Sequence, residues 1–166
     1  MRLRNTLISL LAVSVLGAVA CDDDDEDPNG PPDTQTFEAS LDGASEVPPV
    51  PTATATADAN FTATTTGNTT TIVYTVTVSG NMSGPVTAAH IHGPAGTTGI
   101  AEPIVTLNIS NLTGTSGVLV SGSFTFTGHA SIDMQELLAL MDDGNTYINL
   151  HTTANPTGEI RGQISD

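Results

Sequence analysis

ATATADANFTATTTGNTTTIVYTVTVS, residues 53–79, decides the fold. Apolar residues alternate here with polar ones at a period of two, which is the period of a strand that buries one face. Gly67-Asn68 breaks the alternation with a two-residue turn signal, so 53–63 and 70–79 are expected to form an antiparallel hairpin. The same texture of short β-branched segments separated by Gly, Asn and Pro continues in both directions. Further strands are expected at 36–41, 86–92, 103–110, 117–127, 146–151 and 159–164, the last two joined by a turn at Ala154-Asn155-Pro156-Thr157-Gly158. One helix interrupts them: Asp133 suits an N-cap with Glu136 three residues on, Leu137, Leu138 and Met141 form an apolar stripe, and Gly144 suits the residue after the last turn. It is expected to lie across one end of the strands and cover core. The fold class is therefore all-β, an antiparallel Greek-key β-sandwich or barrel with one short helix.

Composition limits what such a domain can do. The chain has 166 residues, with 18 Asp plus Glu against 3 Lys plus Arg, one Cys and no Trp. A single cysteine excludes an internal disulfide framework, so burial and sheet hydrogen bonds must supply the stability. Arg2 and Arg4 precede the apolar run Leu7 to Ala20, whose 14 residues end in small side chains. As a helix this run spans about 21 Å, short of the roughly 30 Å of bilayer hydrocarbon, so residues 1–20 read as a cleaved signal peptide. The mature chain then keeps Arg161 alone as a cation against 18 acids, a net charge of −17. That excess repels phosphate backbones, so no nucleic-acid partner is expected.

Ala18-Val19-Ala20-Cys21 resembles the lipobox of bacterial lipoproteins, with Ala18 where the usual pattern has Leu. The resemblance implies a lipid anchor on Cys21, and hence a membrane partner and a place in the bacterial cell envelope, at the outer membrane or cell surface. The alternative is an ordinary cleavage site beside a free cysteine. Residues 21–35, with acids from Asp22 to Asp27 and then Pro28, Gly30, Pro31 and Pro32, read as a disordered acidic linker. The acids also resemble lipoprotein sorting signals, which lead outward in some bacteria and to inner-membrane retention in others. Residues 36–166 form the folded domain.

Three segments in this order carry a further resemblance: Glu46-Val47-Pro48-Pro49-Val50, Ala88-Ala89-His90-Ile91-His92-Gly93-Pro94-Ala95, and Tyr147-Ile148-Asn149-Leu150-His151-Thr152 followed by Gly158-Glu159-Ile160-Arg161-Gly162-Gln163. Together they resemble the CHRD domain, the module repeated in chordin and found singly in bacterial secreted proteins. The likeness covers about residues 36–165. It implies an immunoglobulin-like or copper-zinc superoxide dismutase-like β-sandwich, with no established activity to carry over. Chordin engages its growth factors mainly through cysteine-rich modules absent here, so that partner is not carried over.

Alternation also sorts the histidines. Ala89 and Ile91 share one face of their strand, and Ala88, His90 and His92 share the other. Ile148 and Leu150 likewise point inward, with Tyr147, Asn149 and His151 opposite, and Ile160 points inward with Glu159, Arg161 and Gln163 opposite. A His-x-His pair on a strand projects two imidazoles about 6.5–7 Å apart, within reach of one metal. With His151 and a carboxylate from Glu159 the set suits zinc or copper. Superoxide dismutase also carries its metals outside a β-barrel on a His-x-His strand. Its six histidines, aspartate and disulfide have no counterpart among the four histidines here, and His129 lies far from the others in sequence. A redox dismutase is not expected.

The same residues also fit a structural network. In that reading His90 and His92 bond to loop carbonyls, and Arg161 pairs with Glu46 or Glu159 to pin the Pro-rich loop. Asn60, Asn68, Asn81, Asn108 and Asn111 begin Asn-x-Ser/Thr triplets, which arise by chance in so Thr-rich a chain. No Ser-His-Asp motif, phosphate loop or nucleophile elbow appears. The sequence thus points to a non-enzymatic exported lipoprotein serving as an envelope or surface binding module with an extracellular or periplasmic partner, or alternatively to a zinc or copper carrier or scavenger.

Overall fold

The computed structural model describes residues 32–109 and 119–166. The segment read as a signal peptide and Cys21 lie outside these residues, as does most of the segment read as an acidic linker. Eight strands and one helix follow in the order β1 (Asp33–Leu41), β2 (Thr56–Thr66), β3 (Thr69–Ser79), β4 (Val86–His92), β5 (Pro103–Thr106), β6 (Leu119–Phe124), α1 (Met134–Asp142), β7 (Thr146–Thr152) and β8 (Ile160–Ile164). They form two four-stranded sheets, β1-β2-β3-β6 and β5-β4-β7-β8, and every pairing is antiparallel. The chain changes sheet after β3, after β5 and again after β6, giving an all-β sandwich with a single short helix.

The founding hairpin forms as its alternation requires. Thr66 pairs with Thr69 around Gly67-Asn68, and Ala57, Ala59, Phe61 and Ala63 on β2 share the buried face with Ile72, Tyr74, Val76 and Val78 on β3. The second sheet meets them with Ala89, Ile91, Ile148, Leu150, Ile160 and Ile164. Burying a side chain such as Ile or Leu contributes about 1.5–3 kcal/mol, so this period-two interior supplies the driving force that a disulfide cannot.

Several element boundaries differ from expectation. β1 begins at Asp33, inside the segment read as linker, because the hairpin is long enough to offer Thr65, Thr64 and Ala63 as partners for Asp33, Thr34 and Gln35. Residues 53–55 precede β2 as a loop closed by the Ala53 N–H to the Val50 carbonyl (3.0 Å). β5 stops at Thr106, four residues short of the predicted end. In α1, the Glu136 N–H donates to Asp133 Oδ1 (2.9 Å), Leu137 and Met141 are buried, and Leu138 lies at the margin of the core.

One edge of the sandwich is sealed. β1 and β8, from different sheets, meet through reciprocal backbone hydrogen bonds between Glu38 and Ser165 (2.7 and 3.1 Å) and between Asp42 and Arg161 (3.1 and 3.0 Å). Gly162 makes the approach possible: a Cβ there would strike the Ser40 carbonyl. The seal fixes β8 beside β7 and thereby sets the outer face of the second sheet.

Candidate metal centre

That outer face is where the predicted site residues fall, and it is buried. The β4–β7–β8 register places His92 beside Tyr147 and Gln163 in one row, and His90 beside Asn149 and Arg161 in the next. His151 lies opposite Ala88, whose methyl leaves room for the imidazole to lean toward His90 on the diagonal. The outcome is a triad. His90, His92 and His151 each offer a ring nitrogen, and the three nitrogens lie within 4.8 Å of one another. A tetrahedral zinc site with Zn–N bonds of about 2.0–2.1 Å needs nitrogens about 3.4 Å apart, so the rings have to close in on a bound ion.

Carbonyls fix two of the three rings. His92 Nδ1 lies 2.9 Å from the Ala101 carbonyl and His151 Nδ1 lies 3.1 Å from the Pro156 carbonyl. A carbonyl only accepts, so each Nδ1 carries the proton and each Nε2 keeps its lone pair. His151 Nε2 faces His90 Nδ1 at 3.1 Å, which makes His90 the donor between them. His92 Nε2 is buried with no hydrogen-bond partner. A desolvated acceptor costs about 1–3 kcal/mol, and coordination is one way to recover that cost. Taking a metal requires His90 to move its Nδ1 proton away.

The electrostatics keep all three rings neutral, the form a metal needs. Burial pushes the His92 pKa down to about 4, and the neighbouring His90, His151 and Arg161 charges act in the same direction against the Ala101 carbonyl. Burial lowers His90, with His151 adding to it, and burial lowers His151 against the Pro156 carbonyl.

Glu159, expected as a ligand, is elsewhere. Its Oε1 accepts from the Ser83 N–H (2.7 Å) and Ser83 Oγ (3.1 Å), and its Oε2 from Thr152 Oγ1 (2.6 Å) and Asn155 Nδ2 (3.0 Å). Burial raises its pKa, but the four hydrogen bonds outweigh that and hold the carboxyl below the usual range. The alternation that placed it opposite His151 does not apply, because β8 starts at Ile160 and Thr152 belongs to the face of β7 that carries Ile148 and Leu150.

Arg161 also departs from expectation. Its Nη1 donates to the Gly99 carbonyl (2.8 Å) and its Nη2 to the Gly96 carbonyl (3.0 Å) and Gln163 Oε1 (3.4 Å). The loop it pins is 93–101 and not the Pro-rich loop. Glu159 is committed to its four donors, and Glu46 feels the Arg161 charge without a hydrogen bond to it. Burial pushes Glu46 up to about 7, against Arg161, the Val47 N–H and Asn149, so its carboxyl offers only a partial counter-charge near neutrality. Glu46 Oε2 accepts from Asn149 Nδ2 (3.4 Å), while Glu46 Oε1 and Asn149 Oδ1 are buried without partners. Gly158, at φ +131°, permits this packing, since a Cβ there would sit 2.6 Å from Glu46 Oε1 and 2.5 Å from Asn149 Nδ2.

Two features of the site escaped the sequence reading. Tyr147 stacks on His92 (ring centroids 4.8 Å apart, planes at 3°) and lies under Arg161, whose Cζ is 3.4 Å from the ring centroid. The carbonyls of Ala101 and Pro156 orient the imidazoles, and no residue type announces a carbonyl. The networked reading is half realised, since His92 and His151 bond to loop carbonyls whereas His90 bonds to His151. His129 is exposed and lies apart, beside Ala130 and Ile132.

No curated protein and no solved structure matches the chain. The sequence model of the CHRD domain matches residues 37–164, which span both sheets, the helix and all three imidazoles. The chain belongs to the CHRD domain family.

Proposed function

We propose that this protein is an exported lipoprotein, anchored through Cys21 in a bacterial cell envelope, whose CHRD domain holds zinc or copper at His90, His92 and His151 without catalysing a reaction. The observation that carries the metal reading is His92 Nε2, a lone pair buried without a partner beside two other imidazoles. Structural zinc sites close with four protein ligands, whereas among the described residues this group contributes three. The metal keeps an open position on the half-buried side, which suits a carrier or scavenger that must also release its cargo. Lipid anchoring is supported by the leader and the placement of the single cysteine.

Calorimetric titration of the chelator-treated mature protein tests the metal reading. One equivalent of zinc or copper(II) binds, and His92→Ala abolishes binding. Heat indistinguishable from buffer with both metals overturns it. Mass spectrometry of the mature N-terminus tests the anchor, and an unmodified Cys21 ends that part of the proposal.

A further inference from the structure

Loop 93–101 covers the outer face of β7 and β8 without forming a strand of its own, and side chains from those strands hold it. Gln163 Nε2 donates to the Ala95 carbonyl (2.6 Å), Arg161 bridges the Gly96 and Gly99 carbonyls (3.0 and 2.8 Å), and the Tyr147 hydroxyl both donates to the Ala101 carbonyl and accepts from the Ala101 N–H (3.3 Å each). The loop ends at the carbonyl that fixes the His92 ring. Strand order puts Tyr147 on β7 between His92 on β4 and Arg161 on β8, so imidazole and guanidinium flank the phenol ring from opposite sides.

The cost of Arg161 is informative. It is the mature chain's one cation, it is 2% exposed, and the acceptors of its hydrogen bonds are two carbonyls and an amide oxygen. Burying a charge on neutral acceptors is expensive, and a planar fork that ties two carbonyls of one loop is a use that lysine cannot replace. A ligand's second nitrogen commonly bonds to a group that sets its tautomer, and losing such a group weakens metal binding about 10- to 100-fold.

We propose that Arg161 and Tyr147 are positioning residues of the metal centre, which fix the His92 ring and its tautomer by holding Ala101 in place. The proposal rests on the metal reading above, but its first consequence concerns the metal-free protein. His92 is held as the Nδ1–H tautomer with Nε2 facing the triad. His151 takes its orientation from Pro156 on a different loop and is independent of Arg161.

Long-range proton–nitrogen NMR of the metal-free mature protein at neutral pH reads both tautomers directly. Wild type shows a single Nδ1–H form at His92. Arg161→Met gives a mixture at His92 with His151 unchanged, and metal affinity falls about 10- to 100-fold. Arg161→Lys keeps the charge, loses the fork and does not restore the single form. Tyr147→Phe keeps the stack, loses both contacts to Ala101, and gives a smaller second population with a few-fold weaker affinity. It keeps the question open to measurement if Arg161→Met does not fold. An unchanged His92 tautomer in these variants overturns the proposal, as does a joint change at His92 and His151. Failure of wild type to bind zinc or copper overturns the metal reading instead and is seen in a separate titration.

Discussion

Glu46, on the loop after β1, and His92, on β4, are both buried against the outer face and hold opposite proton preferences. The His92 pKa falls from 6.5 to about 4 on folding, so the unfolded chain binds that proton first, and the stability due to neutral His92 is full above pH 6.5 and lost as pH falls toward 4. The Glu46 pKa rises from 4.5 to about 7, so its contribution is full below pH 4.5 and lost as pH rises toward 7. The two contributions run in opposite directions and offset one another between pH 4.5 and 6.5. Glu46→Gln therefore gives a metal-free protein whose urea stability rises more steeply with pH in that interval than wild type; parallel profiles count against the assignment. Glu159 makes a different prediction, because all four of its hydrogen bonds are accepted by a carboxylate. Glu159→Gln sets an NH2 group against existing donors and destabilises the fold by about 2–4 kcal/mol in urea unfolding. Metal affinity stays at the wild-type value, and a variant that unfolds normally but loses metal would return Glu159 to the ligand set.

The elements explain why some residues were legible and others were not. Strand alternation is a property of sequence, so the hairpin at Gly67-Asn68 and the shared outward face of His90, His92 and His151 could be read from the residues. Alternation fails where a strand has not yet begun, and Glu159 was misplaced for that reason, one residue ahead of β8. It also says nothing of what covers a face: the side opposite the core is roofed by loop 93–101 and the segment carrying Glu46. Arg161 was expected to seek a carboxylate because ion pairing is visible in composition, whereas carbonyls presented by a folded loop are not. The β1–β8 seal is likewise a tertiary feature, since Gly162 reads from sequence as a weak spot in a strand. Gly162→Ala drives a Cβ into the Ser40 carbonyl and costs about 1–3 kcal/mol by overpacking. Amide exchange should quicken first at Glu38, Asp42, Arg161 and Ser165, and uniform protection there would show that the two sheets do not depend on this closure.

For the molecule as a whole, the parts fit a division of labour. An apolar interior built from both sheets supplies stability without a disulfide, leaving the outside of β4, β7 and β8 free to carry polar groups whose burial is costly. The chain's formal net charge of −15 favours the approach of cations. The N-terminal apolar run, the cysteine and the acids after it support the proposed address in the envelope, and residues 37–164 give the family. The central claim is that three imidazoles form one metal centre. X-ray absorption on protein loaded with one equivalent of zinc tests it most directly. The account predicts three imidazole nitrogens at about 2.0–2.1 Å, a shell that is lost in His92→Ala. A shell of oxygen neighbours alone, unchanged by that substitution, would contradict it.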